Sequence, residues 1–154
     1  MASPPGSTGP ASLEQAPAPP RREQRFAKEV ASLEPIFALL HGFVAEQALG
    51  PDLEFCLSFV TEEIFTNMVK YNGGSTQPVR LAVSRDGSGV LIELTDFDVE
   101  PFDPATAPAV DVDAPLEERR PGGLGLHLVR SLADRLTFEY DDRELKVSIW
   151  KRLP

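Results

Sequence analysis

Glu62-Glu63-Ile64-Phe65-Thr66-Asn67-Met68-Val69-Lys70-Tyr71-Asn72 is the stretch on which the fold turns. It closes a longer run, residues 53–71, that contains neither Pro nor Gly. Leu53, Leu57, Val60, Ile64 and Met68 recur there at the spacing of an amphipathic helix. Pro51-Asp52 supplies a start and Asn72-Gly73-Gly74 a stop. At about 100° of rotation per residue, Glu63, Asn67 and Lys70 fall within roughly 60° of one another. That polar stripe borders the apolar face, which predicts side chains looking into a cleft. Charged groups beside a core are costly unless paired or metal-bound, so the stripe needs a reason to exist. Glu62, about 100° away on the side turned from the core, reads as solvated. The same spacing also arises by coincidence on a solvated helix, and the helix alone does not decide between the two.

Working outward, Val79-Arg80-Leu81-Ala82-Val83 and Val90-Leu91-Ile92-Glu93-Leu94 flank the turn-rich Arg85-Asp86-Gly87-Ser88-Gly89 and predict a hairpin. Val90, Ile92 and Leu94 share one face, and continuing the period of two puts Asp96 on that apolar side. An inward carboxylate at a strand end requires a donor, and the amino group of a bound base is one candidate. A turn-initiating Asp is the plain alternative.

The third element is Pro121-Gly122-Gly123-Leu124-Gly125-Leu126-His127-Leu128. Glycines let backbone approach an anion closely, and a helix over residues 126–136 would aim free N–H groups and its positive end at it. No Gly-Lys-Ser/Thr follows these glycines and no strand leads straight into them, so neither common phosphate-loop pattern applies. An acid and an amide one turn apart, a strand-end carboxylate and a glycine-rich helix start are together the parts of a site for Mg²⁺ and a nucleotide.

With these elements in place the chain resembles the ATP-binding domain shared by gyrase, Hsp90, histidine kinases and MutL. Within that superfamily it is most similar to the small bacterial anti-sigma-factor serine kinases, over roughly residues 22–153. Glu63-Ile-Phe-Thr-Asn67-Met-Val-Lys70-Tyr71 matches the N-box, Glu-x-x-x-Asn followed by a basic residue. Pro101-Phe102-Asp103-Pro104 matches a segment after the first glycine box. Asp113-Ala-Pro-Leu-Glu-Glu-Arg-Arg-Pro-Gly-Gly-Leu-Gly-Leu-His-Leu-Val-Arg130 matches the short lid and second glycine box.

The resemblance implies an α+β two-layer sandwich: a mixed, mainly antiparallel sheet covered on one face by helices. It implies Glu63 as general base for a substrate serine, Asn67 as Mg²⁺ ligand and Lys70 near the phosphates. Asp96 would accept from the adenine amino group, and Gly122, Gly123, Leu124 and Gly125 would cradle the phosphates of ATP. Such chemistry is mostly positioning and charge neutralisation. The expected function is a protein serine/threonine kinase that phosphorylates an anti-sigma-factor antagonist protein and also sequesters a sigma factor, as a homodimer. One departure stands out. The first glycine box reads Asp-x-Gly in the family and Asp96-Phe97-Asp98 here, with the spacing to Pro101 about one residue long. Bulk and negative charge at that position predict weakened ATP affinity.

Composition is consistent with this without deciding it. The chain has 154 residues, 42% of them hydrophobic, and a net charge of −9. That suits one domain of ordinary size and argues against direct nucleic-acid binding through phosphates. Cys56 is the only cysteine, so no internal disulfide forms, and a reducing cytoplasm is the expected compartment. No apolar run approaches about 18 residues, so no membrane span is expected. Residues 1–21, rich in Pro, Ala, Ser and Gly, read as a disordered tail before a domain over 22–154.

Further elements are a short strand near Gln24-Arg25-Phe26, a helix over residues 33–49 with Pro35 in its first turn, and an irregular lid over 99–121. Two strands, Leu136-Thr-Phe138-Glu-Tyr140 and Lys146-Val147-Ser-Ile149-Trp150, close the chain. His127 and His41 read as ordinary helix residues, and Asp111, Asp113, Glu117 and Glu118 as a solvated segment without the rhythm of a calcium loop. Two other readings compete with the kinase. One is a nucleotide-free relative acting only by partner capture, which Asp98 favours. The other is the detached catalytic domain of a sensor histidine kinase, disfavoured because no phospho-accepting helical hairpin precedes the domain.

Overall fold

Side-chain alternation and tight turns account for the sheet. In the computed structural model, which describes residues 18–71, 75–101 and 123–154, β2 (Val79–Asp86) and β3 (Gly89–Asp96) form the predicted hairpin around Gly87 and Ser88. Gly87 takes a φ of 59°, a left-handed value that glycine adopts without steric cost. β1 (Arg21–Phe26) pairs with β2, and β4 (Arg135–Asp141) with β5 (Glu144–Arg152). The strand order is β1-β2-β3-β5-β4. Among the described residues every pairing is antiparallel, in keeping with the mainly antiparallel sheet expected from the sequence. The turn between β4 and β5 holds Asp142 and Arg143 at φ of 48° and 63°, the twist that a two-residue hairpin favours.

The helices are α1 (Leu33–Glu46), α2 (Pro51–Tyr71) and α3 (Gly123–Leu132), with a 3₁₀ turn at Val30–Ser32 ahead of α1. α1 stops three residues before the sequence reading. Ala48 enters the left-handed region at φ 53°, and the Leu49 N–H donates to the Val44 carbonyl at 3.0 Å, closing the helix end. α3 lies earlier than expected. It takes the glycines into its first turn and ends at Leu132, because Leu136 is drawn into β4 opposite Ile149. The residues expected to stop α2, and the segment 102–122 with most of the lid, lie outside the described residues, as do residues 1–17 of the tail.

The core lies between helices and sheet. Ile36, Leu40 and Phe43 of α1, Leu57, Ile64 and Phe65 of α2 and Val129 of α3 meet Leu81, Val83, Ile92, Leu94, Val147 and Ile149. Burial of each such side chain contributes about 1.5–3 kcal/mol. The opposite face of the sheet carries charges instead. Glu93 is bracketed by Arg21 at 3.1 Å and Lys146 at 2.8 Å, and Arg80 reaches Glu23 at 3.3 Å. One apolar face and one charged face make a two-layer α+β sandwich, with the helix side of the sheet left to build a site.

Candidate nucleotide site

α2 and α3 bring together the residues farthest apart in the sequence argument. Glu63 and Asn67 are both half-buried, one turn apart beside the buried Ile64 and Met68. The Glu63 carboxylate lies directly over Gly125 in the first turn of α3, so that a Cβ added at Gly125 would collide with it. Glycine at 125 therefore lets the carboxylate keep this place, and a larger residue would push the Glu63 side chain aside. The carboxylate also sits at the helix end where the dipole favours negative charge. Gly123 and Leu124 open the same turn, and Gly122 lies outside the described residues. Lys70, in the last turn of α2, is exposed.

Asp96 ends β3 on the helix-facing side, as the alternation predicts, and is 0% exposed. Its Oδ1 lies 2.5 Å from the ammonium of Lys28, itself only 4% exposed. The register explains how Lys28 arrives there. Phe26 at the end of β1 pairs with Val79, and the next residue of β2, Arg80, pairs with Thr95. The chain leaving β1 therefore passes the end of β3. On the other side, the Ser75 hydroxyl donates to the Phe97 carbonyl at 2.8 Å and accepts from the Gln77 N–H at 3.2 Å. The segment following α2 is thereby fastened next to Asp96, which sets the C-terminal end of α2 and the buried carboxylate at the same end of the sheet.

Asp98, the residue standing where the resemblance expects glycine, has a φ of 56°. It adopts the left-handed conformation that glycine favours, which Asp tolerates better than most residues. Its carboxylate is turned onto Arg143, whose Nε and terminal nitrogen both lie at 2.9 Å, and this hydrogen bond raises the Arg143 pKa above its ordinary value. The Val99 N–H donates to the Arg143 carbonyl at 2.8 Å, and the Tyr140 hydroxyl to the Val99 carbonyl at 2.8 Å. The guanidinium groups of the cross-strand neighbours Arg25 and Arg80 lie over the Phe97 ring at 5.2 Å and 5.3 Å. The chain after β3 is thus clamped to the β4–β5 turn, with the extra charge directed onto a surface arginine.

The donor set suits a magnesium nucleotide in two respects. A buried strand-end carboxylate can read a base, and an amide with a carboxylate beside a helix start can hold charge at the phosphate end. In a third respect it meets a competitor, since Asp96 already engages an ammonium. Sequence reasoning missed Lys28, Ser75, Tyr140 and Arg143. Ala27-Lys28-Glu29 looks like an ordinary polar turn, and nothing local marks its lysine for burial. Nothing local distinguishes Asp142-Arg143 from an ordinary turn, and its cation meets Asp98 only through strand pairing.

The histidine kinase-like ATPase domain profile matches residues 26–151, and the chain belongs to that family. Membership implies ATP binding. No curated protein sequence matches the chain. Among solved structures, the RsbU and RsbW domains of Rv1364c from Mycobacterium tuberculosis are similar with a TM-score of 0.63 and 14% identity. That match covers 87% of this chain and 32% of the other, so this chain spans a minor part of that protein. A chain of the SiaB–SiaC complex from Pseudomonas aeruginosa gives a TM-score of 0.61 at 14% identity, over 84% of this chain and 88% of its own. At such identity the likeness is one of fold. Among the described residues no helix is long and apolar enough to cross a membrane.

Proposed function

We propose that this domain binds ATP with Mg²⁺ and acts as a protein serine kinase of the anti-sigma type. Its substrate is an anti-sigma-factor antagonist protein, its second partner a sigma factor, and its working form a cytoplasmic homodimer formed by residues 22–154. The observation that carries this reading is the juxtaposition of Glu63 with Gly125. ATP supplies the phosphoryl group, and Mg²⁺ neutralises the charge that develops on it. Glu63 accepts the proton of the substrate serine hydroxyl, Asn67 holds the metal, and Lys70 lies toward the phosphates. Asp96 takes the base, while Gly122, Gly123, Leu124 and Gly125 cradle the phosphates, for which the start of α3 supplies free amides. The likeness to an RsbW domain and to a chain of the SiaB–SiaC complex supports a protein partner.

A second reading, a binding module that works without turnover, is favoured by Asp98 in place of glycine and by the engagement of Asp96 with Lys28. Calorimetric titration with Mg·ATP separates the two. Asn67→Ala is expected to abolish Mg²⁺-dependent binding, whereas Glu63→Ala spares binding and removes phosphotransfer. Unchanged affinity in Asn67→Ala removes the metal assignment, and absence of binding in the wild-type protein leaves the second reading.

A further inference from the structure

We infer that Lys28 sets base specificity in this pocket, its buried ammonium competing with a purine amino group for Asp96 and serving as a donor to a 6-oxo purine. The inference rests on the reading of Asp96 as the base-recognising carboxylate. What carries it is the contact itself: an ammonium 2.5 Å from Oδ1, with side chains 4% and 0% exposed. So deep a pair is not a solvated surface bridge that exchanges freely with water.

The consequences follow from donor and acceptor inventories. Adenine offers the carboxylate an N–H from its 6-amino group, and must share or displace the lysine to do so. Hypoxanthine presents a carbonyl oxygen at the same position, which only a donor can satisfy, and an N1–H that a carboxylate accepts. A carboxylate alone therefore favours the 6-amino purine and leaves the 6-oxo oxygen unpaired, whereas Lys28 beside Asp96 supplies both halves of a 6-oxo contact. Leaving a buried polar group without its partner is what generates strong discrimination. The wild-type pocket should consequently bind adenine nucleotides weakly and distinguish them poorly from hypoxanthine nucleotides.

The test is calorimetric titration of the full chain with Mg·ATP and Mg·ITP, in the wild-type protein and in Lys28→Met and Lys28→Leu, neither of which offers a donor to the base. Lys28→Leu serves should Lys28→Met fold poorly. The expected result is a wild-type preference for ATP over ITP below about tenfold, rising by about tenfold or more in either variant, the size of one hydrogen bond to a charged group. Equal losses for both nucleotides, or an unchanged ratio, assign Lys28 a purely structural role and overturn the inference while the nucleotide site stands. A wild-type preference for ATP above about a hundredfold overturns it whatever the variants do. If neither nucleotide binds to any of the three proteins, the reading of the site fails, and the inference with it.

Discussion

Removing the ammonium of Lys28 tests whether the pair with Asp96 is as deeply buried as it looks. Both side chains are at most 4% exposed, so Lys28→Met takes the ammonium away from a carboxylate held in the interior. Breaking a buried pair by deleting one partner costs about 3–5 kcal/mol, because the remaining charge has neither water nor its counterion. For a chain of this length each kcal/mol lowers Tm by about 2–4 °C, which gives a loss of about 6–20 °C. A domain in the middle of the usual range of about 5–15 kcal/mol keeps several kcal/mol after that loss and stays folded at room temperature. The assay is scanning calorimetry at neutral pH without nucleotide, on Lys28→Met, Asp96→Leu and the double variant. Replacing both partners with apolar groups removes the stranded charge, so the double variant should recover most of what either single variant loses. A Lys28→Met protein within about 1 kcal/mol of wild type, or single effects that simply add in the double variant, would refute the reasoning.

Gly125→Ala should leave Tm unchanged or slightly raised, since alanine is favoured over glycine in a helix by about 1 kcal/mol, yet reduce phosphotransfer, because the new methyl drives the Glu63 carboxylate from its place. Equal activity in Gly125→Ala, measured with a saturating protein substrate, counts against Glu63 as the base. Arg143→Ala releases the Asp98 carboxylate and should weaken Mg·ATP binding several-fold, with Asp98→Gly in the same chain restoring it; titration of the single and double variants decides the matter. Burial by itself raises the pKa of Glu93, but hydrogen bonds from Lys146 and Arg21 and their charges outweigh it and hold the carboxyl below its usual 4.5. A depressed folded value means stability that is present above pH 4.5 and lost as pH falls through the lower folded value. Glu93→Gln should therefore lower Tm more at pH 7 than at pH 3, and an equal loss at both would remove this account.

Several parts of the architecture were legible in the residues because they depend on period and punctuation. The helix over α2 follows from apolar spacing without Pro or Gly. The β2–β3 hairpin follows from alternation around Gly87, and the inward position of Asp96 from counting by two. Helix ends were less legible. α1 closes on a left-handed Ala48, a residue with no particular preference for that conformation. α3 yields Leu136 to a strand pairing with β5, which no local propensity describes.

The chain by itself determined the class of fold and the residue types available to a nucleotide, since local spacing and turn chemistry are properties of neighbouring residues. Only the tertiary structure decided what those residues touch. Glu63 against Gly125 joins positions 62 residues apart, and Lys28 against Asp96 positions 68 apart (125 − 63 and 96 − 28). Likewise Arg143 reaches Asp98 through a hairpin turn at the end of two paired strands. Contacts of that range depend on how elements pack and on which side chain reaches a buried charge first. Those are properties of the assembled sheet and helices, and no window of sequence contains them.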